Sequence, residues 1–304
     1  MRPVRQRRSR LAAAVAAAAV LGGIVLVVAM VACGDDKGAA EMKEAREVIG
    51  HDPAGLAEDI FERGTLVVAN DADYPPQSSI DAKTKELKGF DVDVARRVAE
   101  LLGVKAEFVN PNWDAIAEGL STDRFDVNIG SLAPTPAAAK LMAFSDPYYY
   151  ATAQIVVPAG VPKLTEPDEL KSKRVGVAAQ TSYQVYLQSA DGVRVVPFTS
   201  DSDAVEALAG GEVEALLMSD LSARAEANQG EKIQLSGKPL FYQPLVFALR
   251  KEEPDLLALL NAAIRSMRDD GDLTEMSKRW YGGYDASKRP PDGVPTFDEA
   301  MKAK

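Results

Sequence analysis

Short apolar segments with strand character alternate with amphipathic helical segments along residues 65–281, and this alternation constrains the fold more than any other feature. Alternation of this kind predicts an α/β fold with mostly parallel strands. The segments form two series, residues 65–157 and residues 174–281, so we expect two lobes. The length of 304 residues agrees, because a chain of that size is typical of about two domains.

Apolar periodicity locates the individual elements. The predicted strands are Thr65–Ala69, Lys105–Val109, Phe125–Ile129, Gln154–Val157, Arg174–Ala178, Val193–Val196, Ala215–Met218 and Leu245–Leu249. The predicted helices are Ala54–Arg63, Val92–Leu102, Trp113–Leu120, Pro136–Leu141, Thr181–Ser189, Ser202–Ala209, Leu221–Ala227, Pro254–Asp270 and Leu273–Tyr281. Three prolines follow Gly283, so we expect the tail of the chain to be loosely attached.

The N-terminus has the order of residues that is typical of an export signal. Residues 1–10 hold five Arg and no acid, residues 11–32 hold no charge, and Cys33 closes the run. Basic, apolar and then small residues are the pattern of a secretory signal. The segment ending in Ala32-Cys33 resembles a bacterial lipoprotein signal, in which cleavage leaves the Cys as the lipidated first residue. We therefore predict a signal peptide over residues 1–32 and lipidation, for example by palmitate, at Cys33.

Two alternatives for the N-terminus stay open. The uncharged run of 22 residues is close to the roughly 20 that span a bilayer, so it could instead be an uncleaved membrane anchor. Arg7-Arg8 also resembles a twin-arginine export signal. Each alternative places the body of the protein outside the cytoplasm, because the arginines hold the start of the chain inside.

Charge and composition exclude several classes of function. The formal net charge is −10, and the chain beyond the five N-terminal arginines carries −15. A body this acidic is a poor candidate for binding nucleic acid. Cys33 is the only Cys and His51 the only His, which argues against an internal disulfide and against zinc sites with several Cys or His ligands. We also find no nucleophile-and-base motif, so we predict no cofactor, no metal and no catalytic residue.

Polar residues follow four of the predicted strands, directly after each strand ends. They are Asp71, Asp73 and Tyr74, then Gly130 and Ser131, then Gln180, Thr181 and Ser182, and finally Asp220. In α/β sheets, ligands bind outside the carboxyl ends of the strands. The turn before Thr181 leads into a helix, whose free N–H groups favour an anion. Convergence of these residues would make a site between the two lobes.

The same positions resemble the extracellular solute-binding proteins of family 3, the receptors of polar amino-acid ABC importers. The resemblance covers residues 60–284. Its motifs, in order along the chain, are Gly64-Thr65-Leu66, Asp71-Ala72-Asp73-Tyr74-Pro75-Pro76, Gly89-Phe90-Asp91-Val92-Asp93, Trp113-Asp114, Phe125-Asp126, Phe144-Ser145-Asp146-Pro147-Tyr148, Val175-Gly176-Val177, Val213-Glu214-Ala215 and Asp270-Gly271 with Lys278-Arg279-Trp280-Tyr281-Gly282. Each motif is weak by itself, but nine in order behind a lipoprotein-like signal are a specific pattern.

The resemblance implies a two-lobed periplasmic-binding-protein-like fold, with two mixed sheets joined by a two-strand hinge that closes on a solute. Lobe 1 would comprise residues 60–151 and 245–304, lobe 2 residues 152–244, and residues 33–59 would be a tether. It further implies a lipid-anchored extracytoplasmic receptor that delivers its solute to the transmembrane subunits of an ABC permease. We expect a monomer attached to the outer face of the cell membrane through its N-terminal lipid.

The family's pocket positions can be carried over residue by residue. Asp220 occupies the position of the aspartate that pairs with the ammonium group of the ligand, a strong charge-assisted interaction. Thr181 matches a donor to the anionic end of the ligand, and Ser182 lies in the same turn. The lobe-1 positions that match the family pocket are Asp71, Tyr74, Trp113, Ser131 and Thr135.

Three positions depart from the family pattern. Ala138 stands where the family usually has the Arg that clamps the α-carboxylate of the ligand, Gln77 replaces a Phe, and Gln180 replaces a Gly. Lys140 lies two residues further and could substitute for that Arg if the helix turned. If Lys140 does not substitute, the missing Arg removes the main reason to expect an α-amino acid as the ligand. We therefore hypothesise a cationic or amine-bearing solute whose carboxylate is not essential.

Two other functions remain as alternatives on the same fold. The first is a periplasmic dehydratase-like enzyme, which would need a positioned acid or base. The second is a ligand sensor that acts on a separate membrane kinase, because this chain has no signalling domain. We favour a solute receptor without enzymatic activity.

Overall fold

A computed structural model of the protein describes residues 42–304, and the chain divides into two compact units, Met1–Pro53 and Ala54–Lys304. The predicted signal peptide and the predicted lipidation site at Cys33 lie outside the described residues. In the first unit, residues 42–49 form helix α1, although the sequence predicted only a tether there. The physical reason is composition, because Met, Lys, Glu, Ala and Arg are all good helix formers. Within residues 42–304, none of the helices has both the length and the apolarity needed to cross a membrane.

The second unit is built on a sheet of eight strands whose two central strands are unusually long. These are β7 (Ala143–Pro158) and β11 (Ile233–Leu249), which pair antiparallel along most of their length. The other six strands are β1 (Thr65–Ala69), β5 (Lys105–Val109), β6 (Val127–Leu132), β8 (Arg174–Ala178), β9 (Arg194–Phe198) and β10 (Ala215–Ser219). The spatial order is β5-β1-β6-β11-β7-β10-β8-β9. Strands β7 and β11 therefore pass through both lobes as the two-strand hinge.

Each end of the hinge strands carries a different set of neighbours. In lobe 1, β6 pairs with β11 antiparallel and with β1 parallel, and β1 pairs with β5 in parallel. In lobe 2, β10 pairs antiparallel with β7 and in parallel with β8, which pairs in parallel with β9. Both halves are thus mixed sheets, as predicted. Because hydrogen bonding continues through β7 and β11, the two halves form one uninterrupted ladder.

The helices of the second unit cover both faces of this sheet. They are α2 (Leu56–Arg63), α3 (Phe90–Leu101), α4 (Ile116–Ser121), α5 (Ser182–Gln188), α6 (Asp201–Ala209), α7 (Asp220–Gln229), α8 (Pro254–Asp269), α9 (Asp272–Trp280) and α10 (Phe297–Lys302). A second, three-stranded sheet lies beside lobe 1 and is made of β2 (Asp73–Tyr74), β3 (Ser78–Ile80) and β4 (Leu87–Lys88).

Helix α3 begins where the chain leaves this small sheet, and a glycine is required at that junction. Gly89 adopts φ 144°, and a Cβ there would lie 2.1 Å from the carbonyl oxygen of Gln77. The buried face of α3 includes Val94, Ala95 and Val98, of which Val98 lies about one helical turn after the other two. Removing this apolar face from water stabilises lobe 1 and fixes the start of α3 next to the end of β6.

The tail of the chain is packed rather than loosely attached. Helix α10 buries Ala300 in an apolar cluster with residues of β7, β8, β10 and α5, and Phe297 packs against the same cluster. Helix α10 is therefore packed against the sheet, so the sequence expectation of a loosely attached tail does not hold for residues 297–302. The apolar side chains of α10 are the reason, because burial of their surface outweighs the tendency of the preceding prolines to leave the chain extended.

Candidate functional site

A buried carboxylate organises the lobe-1 side of the expected cleft. Asp91 is fully buried in the first turn of α3. Its Oδ2 accepts a hydrogen bond from Ser131 Oγ at 2.6 Å, and its Oδ1 accepts one from the Tyr148 hydroxyl at 2.6 Å. The Tyr149 hydroxyl in turn donates to Ser131 Oγ. Burial raises the pKa of Asp91 to about 7, against the opposing effect of both hydroxyl donors.

Aromatic rings hold this network in place from behind. The Tyr148 and Tyr149 rings are 4.8 Å apart, and Phe90 lies 5.0 Å from Tyr149. Tyr281 completes the cluster at 5.2 Å from Phe90. Tyr148 and Tyr149 are both buried almost completely. They therefore support the position of Ser131, which stands in the left-handed region at φ 58°.

Lobe 2 contributes the turn between β8 and α5. Thr181 caps α5, since its Oγ1 accepts a hydrogen bond from Gln184 N at 3.2 Å and donates one to the Ala178 carbonyl at 2.7 Å. Ser182 Oγ donates to Gln243 Oε1 of β11 at 2.9 Å. Gln180 adopts φ 61°, in the left-handed region that a glycine enters more easily. Thr181 and Ser182 thus lie at the strand end where the sequence placed them.

Asp220 is buried at the start of α7, at the end of β10. Its Oδ1 accepts a hydrogen bond from Thr152 N of β7 at 2.8 Å. Its Oδ2 lies 3.9 Å from Arg224 Nε, one helical turn further along. Burial raises the pKa of Asp220, while the Thr152 amide and the Arg224 charge oppose that rise. The carboxylate is therefore held firmly by its own lobe.

Tyr74 connects the two lobes. It follows β1 in lobe 1 and is half-buried, and burial raises its pKa further above the ordinary value. The Asp201 carboxylate of α6 in lobe 2 and the Asp91 carboxylate of lobe 1 both lie close enough to add to that rise, and Ser222 of α7 opposes it. Carboxylates on both sides therefore act on the same Tyr74 hydroxyl, which indicates that Tyr74, Asp91 and Asp201 lie in a single region.

The remaining predicted residues differ in how close they come to this region. Asp71 is half-buried, and its charge also acts on Tyr74. Trp113, by contrast, is 51% exposed. Thr135 is exposed too, and its Oγ1 accepts a hydrogen bond from Ala138 N at 3.1 Å in a short 3-10 turn. Lys140 is exposed at the end of that turn, and within residues 42–304 its side chain forms no ion pair with Asp91 or Asp220.

Sequence reasoning missed two acidic residues of this region. Asp91 entered the sequence analysis only as part of a family motif, yet it lies inside helix α3, two residues after the cap position that Gly89 occupies. Asp201, in the first turn of α6, was not singled out, and burial raises its pKa to about 6. The signal for Asp91 was its place between apolar residues on the buried face of a helix, where a surface acid is out of pattern. Nothing in the local sequence marks Asp201.

The region is therefore rich in carboxylates and hydroxyls. Asp71, Asp91, Asp201 and Asp220 supply negative charge, and Arg224 is the cation that pairs with Asp220. Among residues 42–304, no group of three or more His, Cys, Asp or Glu is arranged to hold a metal ion. Chemically, this arrangement suits a ligand that brings positive charge and hydrogen-bond donors.

Comparison with known proteins agrees with this fold and this chemistry. The sequence model of "Bacterial extracellular solute-binding proteins, family 3" matches residues 66–283. The L-cystine-binding protein TcyJ of Escherichia coli strain K12 is 33% identical over 231 residues, covering 75% of this chain and 86% of that protein. The lysine/arginine/ornithine-binding periplasmic protein of the same strain is 29% identical over 228 residues, covering 71% and 87%.

A solved structure extends the comparison to three dimensions. An ancestral amino acid-binding protein, described as a precursor of cyclohexadienyl dehydratase, superposes with a TM-score of 0.66 at 31% sequence identity. The superposition covers 75% of this chain and all of that one. All three are named as binding proteins, and with the family model they settle the classification. The chain belongs to family 3 of the bacterial extracellular solute-binding proteins.

Proposed function

We propose that this protein is a lipid-anchored receptor of an ABC importer, which binds a small amine-bearing solute between its lobes and delivers it to the permease. The observation that carries the proposal is the set of carboxylates around Tyr74, drawn from both lobes across a two-strand hinge. A ligand that bridges the two sides favours the closed arrangement by its differential affinity for it. The permease would recognise that closed form.

The ligand-binding residues we propose are Asp71, Tyr74, Trp113, Ser131, Thr135, Thr181, Ser182 and Asp220. Asp220 would pair with the ammonium group of the solute. The relatives' names include cystine, lysine, arginine and ornithine, all of which carry such a group. With Ala138 in place of the carboxylate-binding Arg, the ammonium end contributes most to recognition. The solute is thus an amino acid or a related amine, with positive charge as its main feature.

Thermal melting tests this proposal directly. Purified full-length protein is heated with L-cystine, L-lysine or L-arginine and with the corresponding decarboxylated amines, cystamine, cadaverine and agmatine. A ligand that binds only the native state raises Tm, by about 5 °C at a hundredfold excess over Kd. For the solute that binds, we expect the decarboxylated amine to raise Tm as much as the corresponding amino acid does. Absence of a shift with all six compounds would refute the proposed solute class.

The lipid anchor is a separate part of the proposal. Cys33 would be the first residue of the mature protein, held to the outer face of the membrane by its acyl chains. Growth with labelled palmitate, followed by mass analysis of the N-terminal peptide, distinguishes the possibilities. Label on a peptide beginning at Cys33 supports the lipoprotein, and an intact N-terminus supports the uncleaved anchor. The variant C33A should lose the label.

The dehydratase-like alternative has one observation in its favour. Asp91 has a pKa raised to about 7, which is the range suited to a general acid or base at neutral pH. However, both of its oxygens accept hydrogen bonds from Ser131 and Tyr148 in a fully buried position. Incubating the protein with the solute that raises its Tm and analysing the mixture by mass spectrometry decides between the two. Recovery of unchanged solute supports the receptor.

A further inference from the structure

The chain continues beyond the part that matches the family, as a segment that we call the C-terminal strap (residues 284–304). It runs from lobe 1 back across both hinge strands. Tyr150 N of β7 donates a hydrogen bond to the Ala286 carbonyl at 2.9 Å. Tyr242 N of β11 donates to the Pro295 carbonyl at 2.8 Å. The strap is therefore a third connection between the lobes, after β7 and β11.

Both ends of the strap are anchored. At its start, Ser277 Oγ of α9 donates to the Tyr284 carbonyl at 3.0 Å and accepts from Ala286 N at 2.7 Å. At its far end, the Phe297 ring lies 5.2 Å from Phe241 of β11. Lys304 Nζ donates to the Tyr186 carbonyl of α5 at 2.7 Å. Anchors in both lobes fix the path of the residues between them.

Tyr284 is the residue of the strap that reaches the proposed solute site. The Arg224 guanidinium carbon lies 4.3 Å from the centre of the Tyr284 ring, a cation–π contact. Arg224 Nε in turn lies 3.9 Å from Asp220 Oδ2. Burial and then the Asp220 carboxylate raise the pKa of Tyr284, which confirms that the two side chains are neighbours. Tyr284, Arg224 and Asp220 thus form a row from the strap to the end of β10.

The backbone beside Tyr284 is also pressed close to α7. A Cβ added to Gly282, at φ 60°, would lie 2.1 Å from Asn228 Nδ2 of that helix. The buried Arg224 Nε has no hydrogen-bond partner within the described part of the chain, so its position depends on the stacking and on the Asp220 charge. Losing the Tyr284 ring would leave Arg224 free to turn away from Asp220.

We propose that Tyr284 is a positioning residue for the solute site, which holds the Arg224 guanidinium beside Asp220 and so keeps that carboxylate oriented for the ammonium group of the solute. The proposal rests on the proposed function, because it assumes that Asp220 binds the ammonium group. Its physical basis is that a buried carboxylate stays ionised only when charges or donors compensate its desolvation. The groups facing Asp220 are Thr152 N from β7, Arg224 from α7, Tyr183 from α5 and Tyr284 from the strap.

Titration calorimetry of the full-length protein tests this inference with L-lysine, L-arginine and L-cystine as probes, at pH 6 and pH 8. In Tyr284→Leu the stacked ring is lost, and we expect affinity to fall roughly tenfold at pH 8 and further at pH 6. The additional loss at pH 6 follows because a less compensated Asp220 takes up a proton more readily. Tyr284→Phe keeps the ring and should stay within about threefold of the wild type.

Arg289→Gln is the matched control for Arg224→Gln, because Arg289 of the strap stacks on the Tyr242 ring at 5.4 Å and the variant likewise removes an arginine–ring contact. It should leave both the affinity and its pH dependence unchanged. If Tyr284→Leu does not fold, Arg224→Gln should reproduce the loss and Arg224→Lys should retain most of the affinity. A merely structural role of the ring would lower Tm without changing how affinity depends on pH.

The outcomes separate the two proposals. Wild-type binding together with unchanged affinity in Tyr284→Leu, or in Arg224→Gln, at both pH values overturns the role of Tyr284 alone. Wild-type protein that binds none of the three probes overturns the proposed function, and this inference with it.

Discussion

The two buried carboxylates of the proposed site are held in different ways. In lobe 1, Asp91 accepts hydrogen bonds from the hydroxyls of Ser131 and Tyr148, and an aromatic cluster supports them. In lobe 2, Asp220 accepts a hydrogen bond from the Thr152 backbone amide, and its other oxygen lies 3.9 Å from Arg224 Nε. The lobe-1 carboxylate is thus held by side-chain hydroxyls, whereas the lobe-2 carboxylate is held by a backbone amide and by a cation at longer range.

This difference indicates a division of labour. A satisfied polar network is rigid, so lobe 1 presents a preformed surface whose geometry does not depend on the solute. A buried carboxylate gains a strong charge-assisted hydrogen bond when an ammonium group donates to it. A solute ammonium group that donates to Asp220 would therefore add a partner on the lobe-2 side while the solute meets a fixed surface on the lobe-1 side. Mutations on the two sides should then have different consequences.

The largest expected effect comes from Asp220 in lobe 2. Asp220→Asn keeps the shape of the side chain and the acceptor for Thr152 N, but it removes the charge. Loss of one partner from a desolvated charge pair costs about 2–5 kcal/mol, so affinity should fall by roughly 30-fold to a few thousandfold. The rise in Tm with solute should disappear, while the Tm of the free protein should change little. Calorimetry that shows undiminished binding would remove Asp220 from the site.

Asp91 in lobe 1 should make the free energy of unfolding depend on pH. Its pKa in the folded protein is about 7, against about 4 in an unfolded chain. Between these values the folded state binds more protons than the unfolded state, so stability falls as pH rises. The fall is about 1.4 kcal/mol per pH unit, or at most roughly 4 kcal/mol between pH 4 and pH 7.

The substitution Asp91→Asn should remove this component of the pH dependence. Urea unfolding of both proteins at pH 5 and pH 8 measures it, because the difference in unfolding free energy between them should change with pH. A difference that is the same at both pH values would show that Asp91 does not titrate in this range.

A serine-to-alanine substitution in each lobe should have smaller effects, and the two effects on the free energy of unfolding should differ. Ser131→Ala removes the donor to Asp91 and the acceptor for Tyr149, so it should destabilise the protein by about 1–3 kcal/mol. Ser222→Ala removes a buried hydroxyl that lies near Tyr74 and Asp201 but makes no hydrogen bond of normal length among the described residues, so it should destabilise the free protein by less than about 1 kcal/mol. Urea unfolding without solute compares the two. Equal destabilisation would contradict the division between the lobes.

Much of the fold could be predicted because it depends on local apolar patterns. The bounds of β1, β5 and β8 are those the sequence predicted, and α8 and α9 differ by a residue at their ends. The lengths of β7 and β11 could not be predicted in the same way. Both strands contain prolines and polar residues, and their extension depends on pairing with each other across many residues. That pairing is a property of the tertiary structure, which no local pattern encodes.

The site was predictable to the extent that it lies at strand ends. Thr181, Ser182 and Asp220 follow strands, as the sequence indicated, whereas Ser131 lies within β6, which extends further than the predicted strand. Whether a polar residue there is buried or exposed depends on what packs over it, which is why the complete burial of Asp91 could not be predicted. The path of the C-terminal strap was likewise beyond local reasoning.

The last prediction concerns Ala138, the lobe-1 position where the family usually has Arg. Ala138 is half-buried at the start of the short 3-10 turn that Thr135 caps. Ala138→Arg should place a guanidinium on the lobe-1 side of the site, where a bidentate pair with a solute carboxylate is strong. The preference for each amino acid over its decarboxylated amine should then rise about tenfold, which corresponds to about 1.4 kcal/mol. Comparing Kd for arginine and agmatine in both proteins measures it, with Ala138→Gln as the uncharged control of similar length. If the ratio stays the same in Ala138→Arg, then a carboxylate at this site does not approach the 3-10 turn, and recognition depends on the acidic groups alone.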